Sequence, residues 1–157
     1  GVLQRIGIIY FIASLLYLKT TPKIQLIVSS ILLLGYWALM TLVPAPGFAV
    51  TNLEKGTNLA TWVDQMVLSG HVWEATKTWD PEGILSTIPA IVTGLLGLQI
   101  GQLLNMNISK KSKAQKMLSI GALLLLLGWF WNFVFPINKA LWTSSYVLYT
   151  AGLATLS

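Results

Sequence analysis

Cysteine is absent from the 157 residues, histidine occurs once, and acidic residues number five. Without cysteine there are no disulfides, no thiolate-held iron–sulfur clusters and no thiol nucleophiles, and one histidine is too few for the usual zinc constellations, so no metal is expected. No secretory signal is expected in this stretch either, since Gly1 runs directly into apolar sequence containing Gln4 and Arg5, without a basic start or a small-residue cleavage site. The formal charge of +5 does not point to nucleic acid, because the basic residues form no stripe interleaved with stacking aromatics.

Apolar sequence dominates instead. The chain is 55% hydrophobic and 10% charged, with a mean hydropathy of +0.70. A membrane span needs roughly 20 apolar residues, and runs near that length recur. The sequence is therefore expected to be all-α, a polytopic transmembrane helical bundle in the lipid bilayer, forming a single membrane domain over 1–157. About five spans are predicted, at 2–18, 24–42, 84–104, 117–135 and 141–157, with a long outward loop at 43–83 carrying a short amphipathic helix. The first run is short and the last stops at Ser157, which reads as a piece of a longer protein.

Charge placement gives the chain a direction. Lys19 and Lys23 lie between the first two spans and Lys110, Lys111, Lys113 and Lys116 between the third and fourth, with no acid in either link. By the positive-inside rule, loops 19–23 and 105–116 are expected to be cytoplasmic. All five acids, Glu54, Asp64, Glu74, Asp80 and Glu82, then share the outward loop 43–83. The sequon Asn107-Ile108-Ser109 falls on the inner side and is expected to be unglycosylated.

Inside the outward loop, Leu59, Trp62, Val63, Met66 and Val67 recur at helical spacing, as in an amphipathic helix lying on the outer surface. It either covers the bundle or walls a substrate site. All seven tryptophans fall on the outward side of this topology. An interfacial belt accounts for them, although belts normally occupy both faces; flat rings for the C–H face of a sugar are the other reading.

Asp80-Pro81-Glu82-Gly83 opens the third span by local rules: Asp as N-cap, Pro at the first helical position and an acid in the first turn. Gly83 squanders a helical position and points to close approach of another backbone or a ligand. Pro89 removes a hydrogen bond inside the span and should kink it. Gly97 and Gly101 form a small-xxx-small pair suited to helix packing, and Gln99 and Gln102 need partners near the inner end.

Arg5 sits in an apolar run on the outer side of the first span, where a cation either pairs with a carboxylate or snorkels to the headgroups. Asp80 and Glu82 are the acids expected to meet it. At the last outward turn, Pro136 ends the fourth span, and Asn138, Lys139, Trp142, Thr143, Ser144, Ser145 and Tyr146 bring an amide, an ammonium, hydroxyls and aromatic rings to the level of the acids. Such a set suits a polyhydroxylated substrate or an acyl oxygen.

Three blocks now carry a resemblance. Val2-Leu3-Gln4-Arg5-Ile6-Gly7 with Tyr10, Asp80-Pro81-Glu82-Gly83-Ile84-Leu85 with Thr87-Ile88, and Pro136-Ile137-Asn138-Lys139-Ala140-Leu141-Trp142-Thr143-Ser144-Ser145-Tyr146-Val147 resemble, in order and spacing, the heparan-alpha-glucosaminide N-acetyltransferase family and its bacterial relatives. The resemblance covers nearly the whole chain and implies a middle portion of a membrane-bound N-acetyltransferase. Such an enzyme takes acetyl from cytoplasmic acetyl-CoA, its donor substrate, and delivers it to an amino sugar on the outer side.

The histidine to which the family's catalysis is attributed lies upstream of this segment, so no catalytic residue is expected here, and His71 does not match its position. Arg5, Asp80, Glu82, Asn138, Lys139, Trp142, Ser145 and Tyr146 are then expected to shape or support the substrate path. The short link between the first two spans favours a bacterial envelope sugar, a bacterial inner membrane and a periplasmic loop 43–83. A homo-oligomer is left open. A non-enzymatic transporter or channel module is the alternative from another class.

Overall fold

The computed structural model describes residues 1–68 and 79–157. Six helices follow one another: α1 (Val2–Lys19), α2 (Pro22–Leu42), α3 (Leu59–Val67), α4 (Ile84–Asn105), α5 (Lys110–Trp131) and α6 (Ser144–Leu156). No strand occurs among the described residues. The predicted all-α membrane bundle is what the chain forms. α1, α2, α4 and α5 are each long and apolar enough to cross a bilayer, making this a multi-pass membrane protein. α6 has 13 residues, about 20 Å at 1.5 Å per residue, which is shorter than the hydrocarbon core.

Caps explain most of the boundaries. Thr21 accepts from the backbone N–H of Ile24 and Pro22 opens α2, while Asn58 Oδ1 accepts from Thr61 at 2.9 Å to start α3. Ser109 caps α5 through Ser112, so that helix runs through the lysines and begins at Lys110 rather than at 117. It also ends earlier than expected, at Trp131. The chain then folds into turns in which Asn132 Oδ1 accepts from Ile137 and Phe135 becomes fully buried.

α4 is the central element and packs against α1, α2, α3 and α6. Its buried residues Ile91, Val92, Leu95 and Leu96 serve two apolar clusters, one with Ala13 of α1 and one with Leu33, Val147 and Leu148 of α2 and α6. A third cluster joins Tyr36 and Met40 at the end of α2 to Leu59, Ala60, Phe135 and Leu141. Apolar side chains on the outside of α1, α2 and α5, among them Leu3, Phe11, Ile31 and Leu123, stay exposed, as a lipid-facing surface requires.

Glycine contacts differ from the expectation. A Cβ on Gly97 or Gly101 would meet nothing within 4 Å, so among the described residues that pair packs against no other helix. Close approach occurs instead at Gly94, where Ile9 of α1 leans in, and along the α5–α6 hairpin, where Gly128 faces the Ser145 carbonyl and Gly152 the Gly121 carbonyl. Nearness of two backbones at those three α5–α6 positions is what allows the hairpin to close. The buried Gln99 amide nitrogen finds no partner among the described residues.

Candidate functional site

The first turns of α1, α4 and α6 meet at one end of the bundle, and Arg5 is the junction. Only 6% of it is exposed. Its two terminal nitrogens donate to the carbonyls of Pro81 and Ser86, each at 2.8 Å, and its Cζ lies 4.5 Å from the centre of the Trp142 ring. The expected ion pair is thus replaced. Arg5 reaches the predicted segment but grips its backbone, while Glu82, Asp80 and Asp64 act on the guanidinium only through the field. A planar fork of fixed donors suits two carbonyls held this far apart, and the indole face takes up the remaining charge.

Asp80 is buried and closes a turn, not the helix. Its Oδ1 accepts from the backbone N–H of Glu82 at 2.8 Å, and its carbonyl accepts from Gly83. The N-cap of α4 is Gly83, and the first helical residue is Ile84. The capping carboxylate comes from elsewhere in the sequence. Asp64 of α3, 2% exposed, accepts from Ile84 N–H at 2.9 Å and also from the backbone of Asp80. Its side chain lies directly against Gly83, where any Cβ would collide with both carboxylate oxygens. Close approach does occur at Gly83, but to the Asp64 side chain and not to the backbone or ligand expected.

Docking Asp64 inward fixes the rotation of α3. Leu59, Ala60 and Thr61 turn in with it, while Met66 and Val67, counted with the apolar face from spacing alone, are exposed. Burial pushes the Asp64 carboxyl above its ordinary range, and the N–H groups of Ile84 and Asp80 pull it back.

The last turn is held from within. Asn138 Oδ1 accepts from Ala140 and Leu141, and Thr143 Oγ1 donates to the Pro136 carbonyl, accepts from Asn138 N–H and sits 3.1 Å from Ser145 Oγ. Ser144 donates to Leu33 of α2 at 2.7 Å. These buried hydroxyls, Ser145 included, hold the turn, the supporting one of the two roles expected for Ser145. Trp142 emerges from this turn at φ 52°, a left-handed conformation that is an outlier for a bulky residue and costs about 1–3 kcal/mol. Its Nε1 donates to Thr93 Oγ1 at 3.1 Å, and its ring meets Tyr146 edge-on at 5.1 Å.

Above Trp142 opens a cleft of about 580 Å³ lined by Lys55, Pro81, Glu82, Ile137, Asn138, Lys139, Ala140 and Trp142. Four of the predicted residues, Glu82, Asn138, Lys139 and Trp142, are thereby brought together. Arg5 lies beneath, Asp80 and Ser145 support from behind, and Tyr146 lines a second cavity of about 430 Å³ between α4 and α6. Among the described residues the Glu82 carboxylate accepts no hydrogen bond. Of the described tryptophans only Trp142 lines the cleft. His71, Trp73 and Glu74 lie outside the described residues.

Sequence reasoning missed Asp64, Lys55 and Tyr36. Tyr36 Oη donates to the Leu141 carbonyl at 2.6 Å, just before the strained Trp142. Replacing Tyr36 by Phe strands that carbonyl in the core and is expected to cost about 1–3 kcal/mol, read as a drop in the unfolding midpoint. An unchanged midpoint would show that the turn needs no such tether.

Over 201 aligned positions the chain is 28% identical to heparan-alpha-glucosaminide N-acetyltransferase of Homo sapiens and 26% identical to that of Mus musculus, covering 94% of this chain. It is thus similar, at a distance, to these acetyltransferases. The chain spans about 30% of the length of either one. Since 201 aligned positions exceed its 157 residues, the animal proteins carry insertions within the matched region. No family model matches the chain.

Proposed function

We propose that this chain supplies the outward end of the substrate path in a transmembrane acetyltransferase that moves acetyl from cytoplasmic acetyl-CoA to an amino sugar on the opposite face. The observation that carries the reading is the cleft itself. It joins the Glu82 carboxylate, two ammonium groups, an amide and an indole at the end of the bundle away from the lysine-rich links. The likeness to the animal acetyltransferases over almost the whole chain supports the same reading.

Each group has a use in binding such an acceptor. Glu82 offers an acceptor to the sugar amine and hydroxyls, Asn138 and Lys139 supply donors, and the Trp142 ring gives a flat apolar wall for a pyranose C–H face. During transfer the amine nitrogen attacks the thioester carbonyl, the C–N bond forms as the C–S bond breaks, and CoA leaves as its thiol after taking up a proton. The base for the amine proton is the histidine that the family resemblance places upstream of this segment. The residues here hold and orient the acceptor.

The full-length protein in proteoliposomes, given labelled acetyl-CoA inside and glucosamine outside, tests the proposal. Labelled N-acetylglucosamine is expected, and Glu82→Gln is expected to raise KM for glucosamine about ten-fold with little change in kcat, the value of one charge-assisted hydrogen bond. Uptake of unmodified sugar with no acetyl transfer would replace the enzyme reading with a transporter.

A further inference from the structure

We infer that Trp142 is a partition between two chambers, positioning the acceptor on one side and closing the acetyl path on the other until its indole turns aside. This deepens the acetyltransferase reading and rests on it for its chemical meaning, but not for its geometry. The outer cleft and the cavity between α4 and α6 have one lining residue in common, and it is Trp142. Outside lie Glu82, Asn138 and Lys139; inside lie Thr93, Tyr146 and Thr150.

The indole packs beside the Leu33, Val92 and Leu96 cluster, and its polar contacts are few and breakable. One hydrogen bond runs from Nε1 to Thr93, Arg5 covers the ring, and Tyr146 touches it edge-on. Its backbone sits in the left-handed region at φ 52°, a strained position for a bulky residue. Arg5 itself is clamped between two carbonyls, which gives the closed position a fixed backstop. A wall that stays shut between turnovers also keeps outside water from the thioester, whose hydrolysis would otherwise yield acetate and free CoA.

This chain has no cysteine, so a single introduced thiol reports on access cleanly. Ala151 lines the inner cavity, and Ala151→Cys is introduced into the full-length protein with any cysteine outside this chain replaced. A charged, water-soluble thiosulfonate is added to the Lys139 side of proteoliposomes. Modification is expected to be slow with Trp142 present and about ten-fold faster or more with Trp142→Ala, since a closed wall leaves the open state a minor population. Lys139→Cys at the mouth should label at the same rate in both backgrounds. Equal rates at Ala151→Cys overturn the partition.

If Trp142→Ala fails to fold, Thr93→Val removes the acceptor of the indole N–H and leaves the wall in place but loose. It is expected to accelerate labelling, and no acceleration there also overturns the inference. Labelling needs no acetyl-CoA, so a protein that transfers no acetyl defeats the enzyme reading while labelling still judges the wall. In an active protein, Trp142→Ala should speed acetate release from acetyl-CoA with no sugar present, a readout that weaker sugar binding alone would leave unchanged.

Discussion

Arg5→Ala is expected to lower stability by about 3 kcal/mol and to abolish acetyl transfer by the full-length protein. The guanidinium makes two hydrogen bonds of the charge-assisted kind, to Pro81 and Ser86, and lies against the Trp142 ring. Each such bond contributes about 1.5–3 kcal/mol, offset by the cost of holding a cation out of water. Alanine leaves both carbonyls unpaired and opens a gap where three helices start. Arg5→Lys should recover only part of the loss, because one ammonium cannot reproduce a two-pronged fork. Since Arg5 holds backbone and not a carboxylate, Glu82→Gln should cost under about 1 kcal/mol, and a double-mutant cycle between Arg5 and Glu82 should give a coupling below about 0.5 kcal/mol. Thermal unfolding in detergent measures both. A coupling of several kcal/mol would restore the ion pair that the sequence suggested.

The contrast between carboxylate and carbonyl shows what the sequence could disclose. A lone cation in an apolar run and acids at the start of another span announce that the two ends meet, because neither is stable alone in lipid. Which atoms they use depends on how the 80–83 turn presents its carbonyls, and local rules favoured Asp80 as a helix cap. Those rules held for Thr21, Asn58 and Ser109, whose partners are three residues away. They failed at α4, where the cap comes from Asp64, 20 residues before the N–H it accepts.

Tyr36 and Leu141 are 105 residues apart, a separation no local pattern signals. For α3 the apolar spacing was correct as periodicity but did not set the buried face, because capping α4 outweighed the burial of Met66 and Val67, and both can face lipid instead. The long apolar runs, in contrast, were legible as spans since length and hydropathy suffice. Their ends shifted most where turn chemistry intervened, at 110 and 131. The residues of the cleft were legible as chemistry, while Ser145 and Thr143 turned out to spend their hydroxyls on the turn that presents Trp142.

Gly83→Ala is the second substitution with a large expected effect, and its partner is Asp64. A methyl at position 83 would occupy the space of the Asp64 carboxylate, with Oδ1 only 2.6 Å away, so the carboxylate must leave or the turn must shift. Overpacking of this kind costs about 1–3 kcal/mol, and here it also uncaps α4. Asp64→Ala, which strands the N–H groups of Ile84 and Asp80, should cost about 2 kcal/mol by itself. The two changes should not add. Once Asp64 is alanine the space at Gly83 is free, and Gly83→Ala should then cost only a few tenths of a kcal/mol, as between poor N-cap residues. pH gives an independent reading of the same contact. The folded state holds the Asp64 proton more tightly than the unfolded chain, whose ordinary value is 3.8, so between that value and the higher folded one the native state binds more protons. The contribution of Asp64 to stability is thus greatest in acid and is lost as pH rises through the folded value. Asp64→Asn should flatten that slope while keeping an oxygen for Ile84. Additive losses for the Gly83 and Asp64 variants, together with an unaltered slope in Asp64→Asn, would mean that α3 does not cap α4 in the membrane.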